Sequence, residues 1–217
     1  MKKVVLLMSL FSSLSLSALA QDGSSNTSTS DRPRSHSGLF VEPMLIYSQN
    51  DSSIQTSQLP IITDDTSGTI SEASLGARLG VHVGDIFILA ADGRYGKSKF
   101  KDSSYSTADA TGYNYGATAI VQTPIAGIQL FGTYILGGAF DPQAGAQNID
   151  LKFTNARGYR VGGGIHIMAV SLNLEYQDIT YNNSIIESAG PVALNRETAV
   201  DANQRGYAVS LGFPISL

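Results

Sequence analysis

The chain has 217 residues, of which 42% are hydrophobic and only 15% charged, with 22 Gly and no Cys or Trp. Ordinary soluble domains are ~25% charged, so this composition favours a membrane or surface β-protein over a cytosolic enzyme. The lack of Cys excludes disulfides, Cys-ligated zinc, iron–sulfur clusters and thiol catalysis. The net charge of −4 gives no basic surface for nucleic acid. We therefore expect no metal, no cofactor and no nucleic-acid partner.

The first 20 residues have the features of a secretory signal peptide. Lys2 and Lys3 form a positive start, an apolar stretch follows from Val4 to Leu16, and Ala18-Leu19-Ala20 offers a cleavage site of small residues. We predict that residues 1–20 are cleaved and that the mature protein begins at Gln21. The protein is therefore expected to leave the cytoplasm.

Residues 21–37 have no hydrophobic side chain. Such a segment has no apolar surface to bury, so nothing offsets the entropy lost on ordering it. We predict a flexible polar segment ahead of one folded domain over residues 38–217.

Apolar residues recur at every second position through most of this domain, as in Ala73, Leu75, Ala77, Leu79 and Val81. A period of two indicates β-strands with one apolar face. The mature chain has no run of ~20 apolar residues that would make a membrane helix. The alternation predicts eight strands, within the segments 39–48, 73–83, 87–96, 112–121, 128–136, 159–167, 170–177 and 206–217.

The predicted connections alternate in length. Short ones lie near 84–85, 122–126 and 168–169, and long polar ones lie at 49–68, 98–108, 141–150 and 182–204. Short turns on one rim and long loops on the other are typical of outer-membrane barrels. The sheet must close, because an open edge in lipid would leave backbone groups unpaired. We predict an all-β, closed, antiparallel eight-stranded up-and-down transmembrane barrel with short periplasmic turns and long extracellular loops.

A soluble barrel such as a lipocalin is the competing interpretation, with its apolar side chains inside. The uncharged face here is aliphatic and carries Tyr near the strand ends, as aromatic girdles do. The opposite face consists mostly of Gly, Ser, Asn and charged residues. We expect that face to be too polar and too small to form a soluble core, which favours the membrane barrel.

The chain resembles the small outer-membrane β-barrels typified by the OmpA membrane domain and OmpX. The resemblance covers residues 38–217 and rests on LGARLG at 75–80, ADGRYG at 91–96, LNLEY at 172–176 and the last strand. That strand looks like the C-terminal sorting signal of the family, which has apolar residues at every second position, here Tyr207, Val209, Leu211, Phe213, Ile215 and Leu217. The family usually ends in an aromatic residue, whereas this chain ends in Leu217.

The resemblance implies a location in the outer membrane of a Gram-negative bacterium, and a monomer. It also implies contact with outer-membrane lipids and lipopolysaccharide, and with the barrel-assembly machinery during insertion. An interior closed by ion pairs is usual in such barrels. The loops offer surfaces for an extracellular partner.

The inward positions predict a barrel-interior polar cluster near mid-membrane height: Glu42, Arg78, Asp92, Arg94, Arg160 and Glu175. Eight strands leave a lumen barely wide enough for side chains, and buried charges need partners. We therefore expect the three Arg to pair with the three carboxylates, although the sequence does not determine which pairs form. Further polar residues are expected to face inward at Glu72, His82 and His166.

Three functions are compatible with this pattern. The first is a structural or surface-interaction protein with a plugged lumen, serving envelope integrity, adhesion or recognition through its loops. The second is a narrow gated pore for small solutes or ions. The third is a lipid-modifying enzyme, a hydrolase or acyltransferase, built on His82 or His166. Both histidines are predicted on the inner face, which counts against lipid chemistry. We expect a protein without enzymatic activity and without catalytic residues.

Overall fold

The computed structural model describes residues 38–55, 66–102, 107–123, 127–143, 149–167, 169–189, 192–198 and 200–217. The predicted signal peptide and the polar segment at 21–37 lie outside these residues. Within them, no helix has the length and apolarity needed to cross a membrane. The described chain is built of antiparallel strands.

The described residues form ten strands, which include the alternating segments because side chains of a strand point to opposite faces at successive positions. The strands are β1 Leu39–Ile54, β2 Thr66–Val83, β3 Phe87–Asp102, β4 Thr107–Gln122, β5 Ile128–Pro142, β6 Ile149–Ile167, β7 Val170–Ala189, β8 Val192–Thr198, β9 Ala202–Gly212 and β10 Ile215–Ser216.

Eight of these strands form a hydrogen-bonded ring. Each strand from β1 to β7 pairs with the next, and β9 pairs with both β7 and β1. The short β8 pairs with the end of β7, and β10 continues the line of β9 along β1. Pro214 lies between β9 and β10 and has no backbone N–H to donate. The ring confirms the predicted closed antiparallel barrel.

The two faces of the wall are assigned by exposure. Leu79 is 53% exposed and its neighbour Arg78 is 0% exposed. The same contrast holds around the ring, with large apolar side chains exposed on β1, β3, β7 and β9 at Leu45, Leu89, Leu174 and Val209. A soluble barrel would expose its polar face to water instead, so the exposed apolar band is the surface of a membrane-spanning barrel.

Exposed tyrosines mark one boundary of this apolar band. They occupy outward positions on seven strands, at Tyr47, Tyr95, Tyr113, Tyr115, Tyr134, Tyr159, Tyr176 and Tyr207. The rings of Tyr176 and Tyr207 lie 5.4 Å apart, and those of Tyr159 and Tyr176 lie 6.4 Å apart. Tyrosine is enriched where apolar lipid meets the headgroups. This tyrosine ring lies toward the rim with the longer connections, which is the extracellular rim.

Beyond the tyrosine ring the polarity of the two faces inverts. On β3, the side chains of Lys97, Lys99 and Lys101 point outward and are exposed, whereas Ser98 is buried and Phe100 is partly buried. The interior at this level is an apolar core of eleven buried residues: Ile54, Ile70, Ala110, Ile135, Phe140, Phe153, Ala156, Ile179, Tyr181, Val200 and Ala202. The outer surface meets water here, so the apolar side chains belong inside.

This core corrects one expectation from the sequence. The inner face was expected to be too polar and too small to form a core, and that is wrong for the extracellular third of the barrel. It is also wrong near the periplasmic rim, where a second buried cluster consists of Phe40, Ile88, Ile120 and Phe131. A third cluster, of Met44, Ile46 and Ala208, lines β1 and β9. The predicted polar cluster around Arg78 lies between the first two of these apolar layers.

The limits of the long connections also differ from the prediction. β1 continues to Ile54, β3 to Asp102 and β7 to Ala189, well into segments expected to be loops. These extensions still alternate, because they enclose the apolar core and keep their outer face in water. The wall of the barrel therefore extends past the tyrosine ring.

Candidate functional site

The six charged residues predicted to cluster lie together inside the barrel. Glu42 is opposite Arg78 in the β1–β2 register, and Arg78 is opposite Asp92 in the β2–β3 register. Arg94 lies two residues further along β3 and therefore on the same face. Arg160 on β6 and Glu175 on β7 complete the group, and all six are buried. We call these six residues the charge cluster.

Arg78 joins the carboxylates of three strands. Its Nη1 lies 3.1 Å from Oε2 of Glu42, and its Nε lies 3.2 Å from Oδ2 of Asp92. Its Nη2 lies 4.0 Å from Oε2 of Glu175. The guanidinium carbon lies 4.2 Å from the centroid of the Phe131 ring, within the range of a cation–π contact. The cluster is thus in direct contact with the apolar layer on its periplasmic side.

The other two arginines share the remaining carboxylate oxygens. Arg94 donates from Nε to Oδ1 of Asp92 at 3.1 Å and from Nη2 to Oε2 of Glu175 at 2.9 Å. Its Nη1 also donates to Glu175, which makes that contact bidentate. Arg160 reaches across the lumen from β6 and lies 3.0 Å from Oδ1 of Asp92. Asp92 therefore contacts all three arginines.

Neutral side chains supply further hydrogen bonds to the cluster. Arg160 donates from Nε to Oε1 of Gln177 at 3.2 Å and from Nη2 to the side-chain oxygen of Asn114. Gln177 in turn donates to Oδ1 of Asn50 at 2.9 Å. Toward the periplasmic side, Ser171 donates to Glu42. The sequence analysis assigned no role to these residues, although the alternation of inward and outward positions could have identified them.

The charges of the cluster balance, with three arginines and three carboxylates. A buried charge without a partner costs several kcal/mol, so a balanced group with nearly all donors used is the arrangement that burial requires. The cavity beside Arg94 and Arg160 has a volume of about 10 Å³. That is room for about one water molecule. The cluster fills the lumen at its own level.

The three further inward residues do not join the cluster. Glu72 lies on β2 beside the small cavity and is half-buried. His82 packs edge-on against Phe40 with ring centroids 5.8 Å apart. Both ring nitrogens of His82 are buried without a hydrogen-bond partner among the described residues. Nδ1 of His166 lies 3.3 Å from Nε2 of Gln122. The two histidines lie near the periplasmic ends of β2 and β6.

Three acidic side chains lie close together outside the barrel lumen. Asp141, Asp150 and Glu187 approach one another at the extracellular ends of β5, β6 and β7. Nζ of Lys152 lies 3.7 Å from Asp141 and 3.6 Å from Glu187. A lysine ammonium thus already neutralises two of the three carboxylates, and the arrangement is that of a surface ion-pair network.

The residues predicted as a sorting strand lie on β9, on β10, at Phe213 between the two strands, and at Leu217 after β10. Tyr207, Val209 and Leu211 are exposed on the apolar outer face of β9. Ile215 and Leu217 are exposed at the periplasmic rim. The backbone N–H of Leu217 donates to the carbonyl of Leu39 at 2.9 Å. The last residue is thereby bonded to the first strand of the ring.

No family model matches the chain, and no curated protein matches it. Solved structures do match. The outer membrane protein OprG from Pseudomonas aeruginosa is 14% identical, with 83% of this chain and 97% of that chain covered and a TM-score of 0.50. Ail from Yersinia pestis is 12% identical, with 82% and 99% covered and a TM-score of 0.45. Neisserial surface protein A is 16% identical, with 81% and 97% covered and a TM-score of 0.40.

Proposed function

Because the chain has the fold of the small eight-stranded outer-membrane β-barrels of Gram-negative bacteria, we propose that it is a plugged surface barrel of that membrane. Its wall anchors extracellular strands and connections that serve envelope integrity, adhesion or recognition. It carries out no catalysis. Outer-membrane lipids and lipopolysaccharide surround it, it acts as a monomer, and the outward residues of β9 and β10 present the sorting signal to the barrel-assembly machinery.

The observation that carries this proposal is the closure of the lumen. The charge cluster fills the middle of the barrel, with the buried cluster around Phe131 on one side and the core around Phe153 on the other. Eight strands leave an interior that side chains can fill completely. A solute would have to displace three arginines held by buried carboxylates, so the resting barrel is closed.

The alternative function, a narrow gated pore, is favoured by one observation. Polar side chains continue on both sides of the cluster, from Ser171 and Asn173 toward the periplasm to Gln177 and Asn50 toward the outside. Rearrangement of the ion pairs would connect these groups into a polar path. The enzyme alternative has less support, since His82 packs against Phe40 inside the wall and away from lipid.

Measurements of ion conductance distinguish the plugged surface barrel from the gated pore. The purified mature protein is inserted into planar lipid bilayers, with insertion verified by heat-modifiable gel migration of the same preparation. We expect no sustained ion current, because the charge cluster closes the lumen. A steady single-channel current from the unmodified protein would reject the plugged barrel and favour the pore.

A further inference from the structure

A cavity with a volume of about 290 Å³ lies at the periplasmic mouth of the barrel. Five polar residues from four parts of the rim line it: His82, Asp85, Gln122, Thr123 and Ser216. Ile88 of the buried cluster around Phe131 also lines it, and Phe131 itself contacts Arg78. The cavity therefore lies on the periplasmic side of that apolar layer, apart from the charge cluster.

His82, which lines this cavity, has hydrogen-bonding capacity that the described residues leave unused. Both of its ring nitrogens are buried, and neither has a hydrogen-bond partner among those residues. A neutral imidazole carries one donor and one acceptor, and buried polar atoms in native proteins are nearly always hydrogen-bonded. The ring therefore needs a polar neighbour that the described part of the chain does not supply.

The segment 21–37 joins the barrel at the same rim. The backbone N–H of His82 donates to the carbonyl of Gly38 at 3.1 Å, so the segment ends one residue before this contact. On the other side of the entry point, β10 pairs with the start of β1 and contributes Ser216 to the cavity. Both neighbours of the entry point thus line the cavity.

The segment also matches the mouth in its chemistry. Residues 21–37 have no hydrophobic side chain, so their contacts with the barrel must be polar. Arg32 and Arg34 lie within six residues of Gly38, and no acidic residue follows them in the segment. Asp85 is exposed, and it is the only charged side chain among the described residues of the three periplasmic turns. A basic stretch of chain therefore leads directly to an acidic mouth.

We propose that residues 32–37 of this chain lie across the periplasmic mouth. The guanidinium of Arg34 pairs with the carboxylate of Asp85, and a polar side chain from the last three residues of the segment bonds to the ring of His82. Arg34 is four residues from Gly38, ~13 Å in an extended chain, and Asp85 is three residues from His82, so the pair is within reach. The contact does not depend on whether the charge cluster closes the lumen.

Trypsin digestion of the full mature barrel in detergent tests this contact. Arg32 precedes a proline, and trypsin does not cut an Arg–Pro bond, so the bond after Arg34 is the one tryptic site of the segment. Mass spectrometry follows the release of residues 21–34, and a free peptide of residues 21–37 is the reference. We expect cleavage at least about tenfold slower in the barrel, because the contact must open first. Equal rates would overturn the proposal.

Two substitutions, each with a matched control, locate the contact. Asp85→Asn removes the exposed ion pair and should raise the cleavage rate about threefold, whereas Asp109→Asn on the exposed face of β4 should not change it. Ser216→Trp places a bulky ring at the edge of the cavity and should also raise the rate, whereas Ser53→Trp near the extracellular end of β1 should not.

Heat-modifiable migration verifies that each variant is folded. Unchanged cleavage rates in both Asp85→Asn and Ser216→Trp would overturn the site. Protection that increases with the concentration of the barrel would also overturn it, because the segment would then dock on a second copy.

Discussion

Oδ1 of Asp92 lies 3.0 Å from Nη1 of Arg160, although the two residues are 68 positions apart and on strands that do not pair with each other. The contact crosses the lumen and joins opposite parts of the wall. Because Asp92 also contacts Arg78 and Arg94, it is the residue on which the charge cluster depends most.

The first prediction concerns the loss of this carboxylate charge. Asp92→Asn leaves three buried arginines with two carboxylates, so we expect the free energy of unfolding to fall by ~3–5 kcal/mol. Urea unfolding in detergent micelles, followed by gel migration, measures the change. Asp109→Asn on the exposed face of β4 is the control and should change stability little. A loss below ~0.5 kcal/mol for Asp92→Asn would mean that water screens the cluster.

The second prediction concerns the bidentate contact between Arg94 and Glu175. Removing one partner leaves the other charge buried, whereas removing both leaves the cluster neutral. In a double-mutant cycle, Arg94→Leu with Glu175→Leu should therefore cost less than the sum of the two single changes. Unfolding free energies of the four proteins give the coupling energy. Strict additivity would show that the two side chains do not depend on each other.

The third prediction concerns the outer wall. Leu79→Arg should destabilise the barrel by ~2–4 kcal/mol if the residue lies near the middle of the bilayer. Ser71→Arg lies on the same strand and face, four outward positions higher and above the tyrosine ring, so it should cost ~0–1 kcal/mol. Unfolding from lipid vesicles measures both changes. The reverse order of the two costs would contradict the membrane boundary drawn here.

The fourth prediction concerns the core beyond the tyrosine ring. Phe153 is fully buried and stacks on Phe140 with ring centroids 6.4 Å apart. Phe153→Ala should therefore cost ~3–5 kcal/mol through lost burial and the cavity that remains. Leu194→Ala, at an exposed position of β8, is the control and should cost far less. Similar losses for the two variants, measured by urea unfolding, would show that this core contributes little.

The sequence predicted the parts of the barrel that depend on local periodicity. The alternation predicted that Leu79 and Arg78 lie on opposite faces of the wall. Counting residues from the short turns predicted that Asp92 and Arg160 lie at a similar height in the barrel. It did not predict which of them pair, because pairing depends on the stagger of all eight strands. Gly80 illustrates the same limit, since only the folded sheet shows that a Cβ at this position would meet the carbonyl of Leu89.

The apolar core was missed for a different reason. The prediction assigned one polarity to each face over the whole length of a strand. In the structure the solvent outside the wall changes from lipid to water at the tyrosine ring, so the pattern inverts there. The segment from Lys97 to Lys101 shows this inversion in sequence, with three lysines facing outward and Phe100 inward. A change in the polarity of the alternating face is therefore a signal of the membrane boundary.

β7 has 20 residues. At ~3.3 Å per residue and a ~45° tilt such a strand rises ~47 Å, whereas the lipid-facing band of an outer-membrane barrel is ~25 Å tall. The remaining ~20 Å of the strand lies beyond the lipid-facing band. A rigid extension of this kind holds the extracellular connections well clear of the bilayer surface.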